Sequence, residues 1–117
     1  MGYEWPHSLI FRRRGSTFRL TQRVRSSPTF GKSVGCVLSA VNNRMLWVPP
    51  GFAHGFLVLS DHAEVLYKTT DYWYPEHERT LLWNDPALAI AWPLAGEPIL
   101  AAKDAAGKPL AAADTYA

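Results

Sequence analysis

The sequence predicts an all-β domain of the sandwich or barrel kind, and three observations carry that expectation. Short runs of β-branched and bulky apolar residues recur at the spacing usual for such folds. Turns rich in Pro, Gly and Asn separate them. The 117 residues suit one domain, and with 48% hydrophobic and 19% charged residues the chain can bury a core. A domain this small buries a modest share of its surface, and dimerisation is a common remedy.

In chain order, the first 24 residues stand apart by charge. Residues 1–25 hold six arginines (Arg12, Arg13, Arg14, Arg19, Arg23, Arg25) and one acid, Glu4, whereas residues 26–117 hold six bases and nine acids. A sharp asymmetry of this kind marks either a nucleic-acid arm or a segment unlike the rest. Phosphate contact is the functional reading of Arg12-Arg13-Arg14, and a solvated or poorly folded terminus is the plain one. No interleaved aromatic or following recognition helix supports the first, so no nucleic-acid partner is expected. The organisation expected is a basic segment, 1–24, ahead of a β domain, 25–117.

From Arg25 the punctuation becomes regular. Ser26 to Gly31 reads as a turn. Val34–Leu38 and Met45–Val48 read as strands, with hairpin chemistry in Asn42-Asn43 between them. Pro49-Pro50-Gly51 ends the second run and opens a tight turn through His54. Phe56–Leu59 and Glu64–Thr70 are further strands around Ser60-Asp61-His62. Leu81–Trp83 and Ile90–Trp92 are shorter ones, divided by the turn Asn84-Asp85-Pro86. The alanine-rich tail from Leu100 suits a short helix or coil.

No apolar run reaches the roughly 20 residues a membrane span needs, and Met1 to Pro6 lacks the basic start of a signal peptide. No membrane association is expected. Cys36, the single cysteine, cannot pair internally and reads as a small buried core residue. A cytoplasmic location is the expectation.

Among candidate chemical groups, His54 is flanked by glycines and apolar residues. It suits equally a donor to a phosphate or carbonyl and a satisfied structural histidine. His62 and His77 stand in polar, turn-like surroundings. No His-x-His pair occurs, so metal binding is not expected. Tyr67 shares one strand face with Val65 and Thr69; it reads as core packing, or as a general acid if its hydroxyl meets a cavity. Lys103-Asp104 reads as a surface pair, or as a carboxylate able to orient a histidine. The aromatic run Tyr72, Trp73, Tyr74 can stack on a base, face a partner subunit or fill a core. Gly-rich phosphate loops, CxxC and GxSxG are absent, which leaves phosphoryl transfer, thiol redox and hydrolase chemistry without support.

Several stretches together resemble the dTDP-4-dehydrorhamnose 3,5-epimerase family in one unbroken register. They are Arg25 to Lys32, Leu38-Ser39-Ala40, Leu46 to Phe56, Leu66 to Tyr72, Trp83-Asn84-Asp85-Pro86, Trp92-Pro93 and Ala102-Lys103-Asp104. The resemblance implies a cupin-type jelly roll, a homodimer, and no metal or organic cofactor. It implies epimerisation at C3 and C5 of dTDP-4-dehydro-6-deoxy-glucose to dTDP-4-dehydro-L-rhamnose, a step of dTDP-rhamnose biosynthesis. Residue by residue, Tyr67 matches the family's acid and Asp104 the aspartate of its His–Asp dyad. His54 matches a substrate-contacting histidine, and Lys103 lies beside the dyad aspartate. Trp73 stands where an aromatic near the nucleotide is common, and Glu78 is a weaker candidate for nucleotide contact. Residues 1–24 carry no stretch that matches the family, and the family's Leu-Arg-Gly-Leu-His stretch, which carries the catalytic base, has no counterpart here. The fold is therefore expected to be incomplete at the N-terminus and the chain to be inactive. The second reading is a non-catalytic sugar-nucleotide-binding or dimerisation remnant.

Overall fold

The structure, a computed structural model, describes residues 25–115 and, as backbone only, the strands within residues 1–24. Its described residues form eight strands: β1 (Gly2–Tyr3), β2 (Ser8–Arg12), β3 (Ser16–Gln22), β4 (Ser33–Leu38), β5 (Leu46–Val48), β6 (Phe52–Val58), β7 (Val65–Thr69) and β8 (Arg79–Thr80). Two sheets result. The five-stranded sheet runs β4-β3-β6-β1-β8, and the three-stranded sheet runs β5-β2-β7. Every pairing between these strands is antiparallel. The β-rich expectation and the short helical tail are both met: the helix α1 covers Ala102–Ala105 and a 3-10 turn covers Leu110–Ala112.

Several expected details differ. Val34–Leu38 and Met45–Val48 do not form a hairpin. Their strands enter different sheets, β4 beside β3 and β5 beside β2. The Asn42-Asn43 turn carries the chain from one sheet to the other. Asn42 Oδ1 accepts the Ser39 and Arg44 amides at 3.0 and 3.1 Å, and Asn43 takes a positive φ of 50°, which asparagine tolerates. The tight turn expected around His54 is confined to Pro50-Gly51, where Gly51 has φ of 85°. Such a backbone favours glycine. The chain then extends at once, and His54 lies inside β6, in register with Leu20 and Gly2. Leu81 makes only an isolated bridge to Lys108, and Ile90–Trp92 is not a strand. Trp92 satisfies its indole instead by donating to the Trp83 carbonyl at 2.8 Å.

The arginine-rich segment supplies strands β2 and β3, which pair on both sides. His7, Arg13 and Arg14 lie outside the described residues.

Two apolar clusters hold the layers. Leu38 of β4 and Val48 of β5 are buried together, with Cys36, Leu46, Phe52 and Val65 against them. These residues come from both sheets, so this cluster fills the space between them. Cys36 is only half-buried, not the fully buried residue expected. Its strand is a sheet edge and its side chain lies at the margin of the cluster. The second cluster joins Ala53, Leu81, Leu88, Leu110 and Ala113. Successive residues of a strand face opposite ways, so Ala53 places this cluster on the other face of β6, where the C-terminal segment covers it.

Candidate functional site

The same alternation that sends Ala53 outward sends Phe52, His54, Phe56 and Val58 toward the space between the sheets. Phe52 joins the packed end of that space. His54, Phe56 and Val58 line its open end, a cavity of about 760 Å³ whose wall includes Tyr67, Lys103 and Asp104. A smaller cavity of about 350 Å³ adjoins it, lined by Tyr72, Trp73, Tyr74 and His77. Tyr67, Glu78 and Lys103 border both. His54, Tyr67, Trp73, Glu78, Lys103 and Asp104 thus stand on two adjoining cavities, whereas His62 lines neither.

The Tyr67 side chain is 56% exposed, which overturns its reading as core packing. It projects from β7, a sheet edge, so no further strand covers it. Trp73 is 63% exposed, and its indole N–H donates to Glu78 Oε1 at 3.0 Å. The same oxygen receives Lys103 Nζ at 3.3 Å. Glu78 therefore ties an aromatic of the small cavity to a cation of the large one. Lys103 pairs with Glu78 and not with its neighbour Asp104, so the pair expected from the sequence does not form. Asp104 is half-buried in the cavity wall, on α1. His62 and His77 are exposed, as expected.

His54 is electrostatically unusual. Its ring is partly exposed, yet Nδ1 is buried and finds no hydrogen-bond partner. Burial above all, with nearby positive charge including Lys103, lowers its pKa from 6.5 to about 4. Desolvation disfavours the charged form, so the imidazole is neutral at physiological pH. Among the described residues, no three His, Cys, Asp or Glu side chains gather as metal ligands do.

Trp83, Trp92 and Arg79 also line the large cavity, and sequence reasoning assigned them no role in the site. The two tryptophans stood within stretches that carried the resemblance. Arg79 gave no signal. Its guanidinium donates to the Glu76 and Glu78 carbonyls at 2.8 Å and pairs with Asp114 at 2.7 Å. It thereby fixes the 3-10 turn Pro75–His77 that precedes Glu78.

The sequence profile of the dTDP-4-dehydrorhamnose 3,5-epimerases matches residues 8–112. The chain belongs to this family. The match begins upstream of Arg25, so it takes in β2 and β3 of the arginine-rich segment. The chain is 61% identical over 92 residues to the dTDP-4-dehydrorhamnose 3,5-epimerase of Pseudomonas aeruginosa, covering 79% of this chain and 51% of that protein. With the enzyme of that name from Salmonella typhimurium it shares 54% over 93 residues, covering 79% and 51%. Among solved structures, the Legionella pneumophila 3,5-epimerase in complex with dTDP-4-keto-L-rhamnose superposes with a TM-score of 0.86 at 46% identity, covering 92% of this chain and 58% of that one. The epimerase from Sulfolobus tokodaii does so at 0.87 and 34%, covering 99% and 66%. The chain spans about half the length of these curated epimerases.

Proposed function

We propose that this chain forms part of an epimerase site for dTDP-4-dehydro-6-deoxy-glucose, in a fold of the cupin jelly-roll type and in the cytoplasm. The observation that carries this reading is the convergence of His54, Tyr67, Lys103 and Asp104 on one cavity. A C4 ketone acidifies the hydrogens on C3 and C5. A base removes each to give an enolate, and an acid returns a proton to the opposite face. Tyr67, half-exposed at the cavity and carrying a phenolic hydroxyl, serves as the acid. Asp104 serves as the carboxylate that orients the base, a histidine that none of the residues assigned here supplies, so this chain contributes the acid and the orienting group and the protons are taken up by a base from outside them. Lys103 and the aromatic groove at Trp73, joined by Glu78, serve the nucleotide end.

A second reading, binding without turnover, is favoured by one observation. The His54 pKa of about 4 makes it a weak base at neutral pH, where a catalytic base works best with a pKa near the ambient pH. His54 is therefore assigned to substrate contact. No histidine of this chain stands in a Leu-Arg-Gly-Leu-His context.

Proton NMR of the sugar nucleotide in D2O with the purified chain decides between the two. Deuterium entering C3 and C5 above the protein-free rate supports turnover. Line broadening of the dTDP signals with no exchange, in a folded protein, supports binding alone. Neither effect would defeat both readings.

A further inference from the structure

Asp85 is the buried charged residue among the described residues, 6% exposed, and no step assigned above uses it. Its turn was legible in the sequence; its reach was not. Asp85 Oδ1 accepts the Ala87 amide at 3.0 Å, which closes the local turn. Asp85 Oδ2 accepts the Leu110 amide at 2.7 Å, across 25 residues of chain. Two charge-assisted bonds offset much of the cost of burying the carboxylate.

The Leu110 bond continues a short zipper. Lys108 N–H donates to the Thr80 carbonyl at 2.9 Å, and Leu82 N–H donates to the Lys108 carbonyl at 2.8 Å. The approach is close enough that a Cβ at Gly107 would lie 2.7 Å from the Leu81 carbonyl oxygen. Leu110 then buries its side chain beside Ala53, Leu81 and Leu88. Ala53 immediately precedes His54 on β6. On the cavity side of the zipper stand Glu78 on one segment and Lys103 and Asp104 on the other.

We propose that Asp85 is a positioning residue for the cleft: by holding the Leu110 amide it fixes the 101–110 segment, and so sets where Lys103 and Asp104 stand relative to His54 and Tyr67. The backbone bonds of the zipper fix its register. The carboxylate closes its far end, where a 3-10 turn begins and Leu110 has no preceding helical carbonyl to bond. The proposal rests on the epimerase reading only for what Lys103 and Asp104 do once placed.

The test uses Asp85→Ser and Asp85→Asn in the full chain. Serine can still close the local turn but is too short to reach Leu110. Asparagine keeps one acceptor oxygen, and so restores part of the tether. Amide hydrogen exchange and NMR titration of the His54 ring are the two readouts. In Asp85→Ser, protection of the Ala105, Lys108 and Leu110 amides should fall about tenfold or more, while Phe56 and Tyr67 stay within about twofold. The His54 midpoint should rise from about 4 toward 6.5 as Lys103 withdraws and water enters. Asparagine should fall between serine and the parent. Equal loss of protection through β6, β7 and the tail would overturn the proposal, since Asp85 would then support the core as a whole. An unchanged tail and an unchanged midpoint would overturn it as well. Should the serine variant fail to fold, asparagine carries both readouts. No sugar nucleotide enters either measurement, so a chain that proves inactive leaves this test intact.

Discussion

His54 and Tyr67 face one cavity from adjoining parts of the fold, yet they carry opposite predictions. The depressed pKa of His54 links its ionisation to stability. The unfolded chain takes up a proton at this residue as pH falls below 6.5, and the folded chain does not until about 4. Its contribution is therefore fully present above 6.5 and is lost between 6.5 and 4. It amounts to at most about 3 kcal/mol, and less to the extent that the exposed part of the ring keeps its hydration. Urea unfolding of the parent and of His54→Gln at pH 7.5 and 4.5 checks this. The glutamine variant should lose less stability on acidification than the parent, and equal losses would refute the assignment. Tyr67 makes its prediction through chemistry. If the chain turns over, Tyr67→Phe should slow product formation about a hundredfold to ten-thousandfold, with dTDP affinity within about twofold, because only the hydroxyl is removed. A comparable loss of dTDP affinity, measured by calorimetry, would make Tyr67 a binding residue instead.

At the scale of elements, the Glu78 carboxylate joins the turn before β8 to α1 through Trp73 and Lys103. Lys103 is 58% exposed in this pair and Glu78 25%, so the ion pair alone adds little stability. Its expected effect is on placement. Glu78→Gln keeps an oxygen for the Trp73 indole and drops the charge facing Lys103; Glu78→Ala drops both. Glutamine should weaken dTDP binding less than alanine, and alanine should also shift the Trp73 indole proton signal. Identical losses with no indole shift would show that Glu78 does not hold Trp73. The strands themselves were largely legible, because β4, β5 and β7 are written in local patterns of bulky and β-branched residues. Their partners were not. The Asn42-Asn43 turn has hairpin chemistry, but register and partner depend on β2 and β3, whose bulky residues (Leu9-Ile10-Phe11, Phe18 and Leu20) stand among arginines that mark the segment as a charged terminus. Tyr67, Lys103 and Asp104 were found through the resemblance. Asp85 was read as turn punctuation, because a bond spanning 25 residues leaves no local trace.

For the whole molecule, β3 matters most. It pairs with β4 on one side and β6 on the other, so removing residues 1–24 would divide the five-stranded sheet and expose an edge of the strand carrying His54. A chain starting at Arg25 should therefore lose its cooperative unfolding transition, whereas a 1–24 segment independent of the fold would leave it unchanged. Even in the full chain much apolar surface is open. Val34 is 62% and Val37 44% exposed on β4, an outer strand of its sheet, and Trp47 is 52% exposed on β5, an outer strand of the other. Unpaired edges bearing apolar side chains promote association. Light scattering at about 50 μM should give the mass of a dimer or larger species. Val37→Lys puts a charge on the β4 edge at a half-exposed position, which costs the fold little. It should weaken association at least about tenfold if β4 forms the contact. Association unaffected by Val37→Lys but reduced by Trp47→Lys would move the interface to the three-stranded sheet. A parent that stays monomeric would mean that the described surface is tolerated in water as it stands.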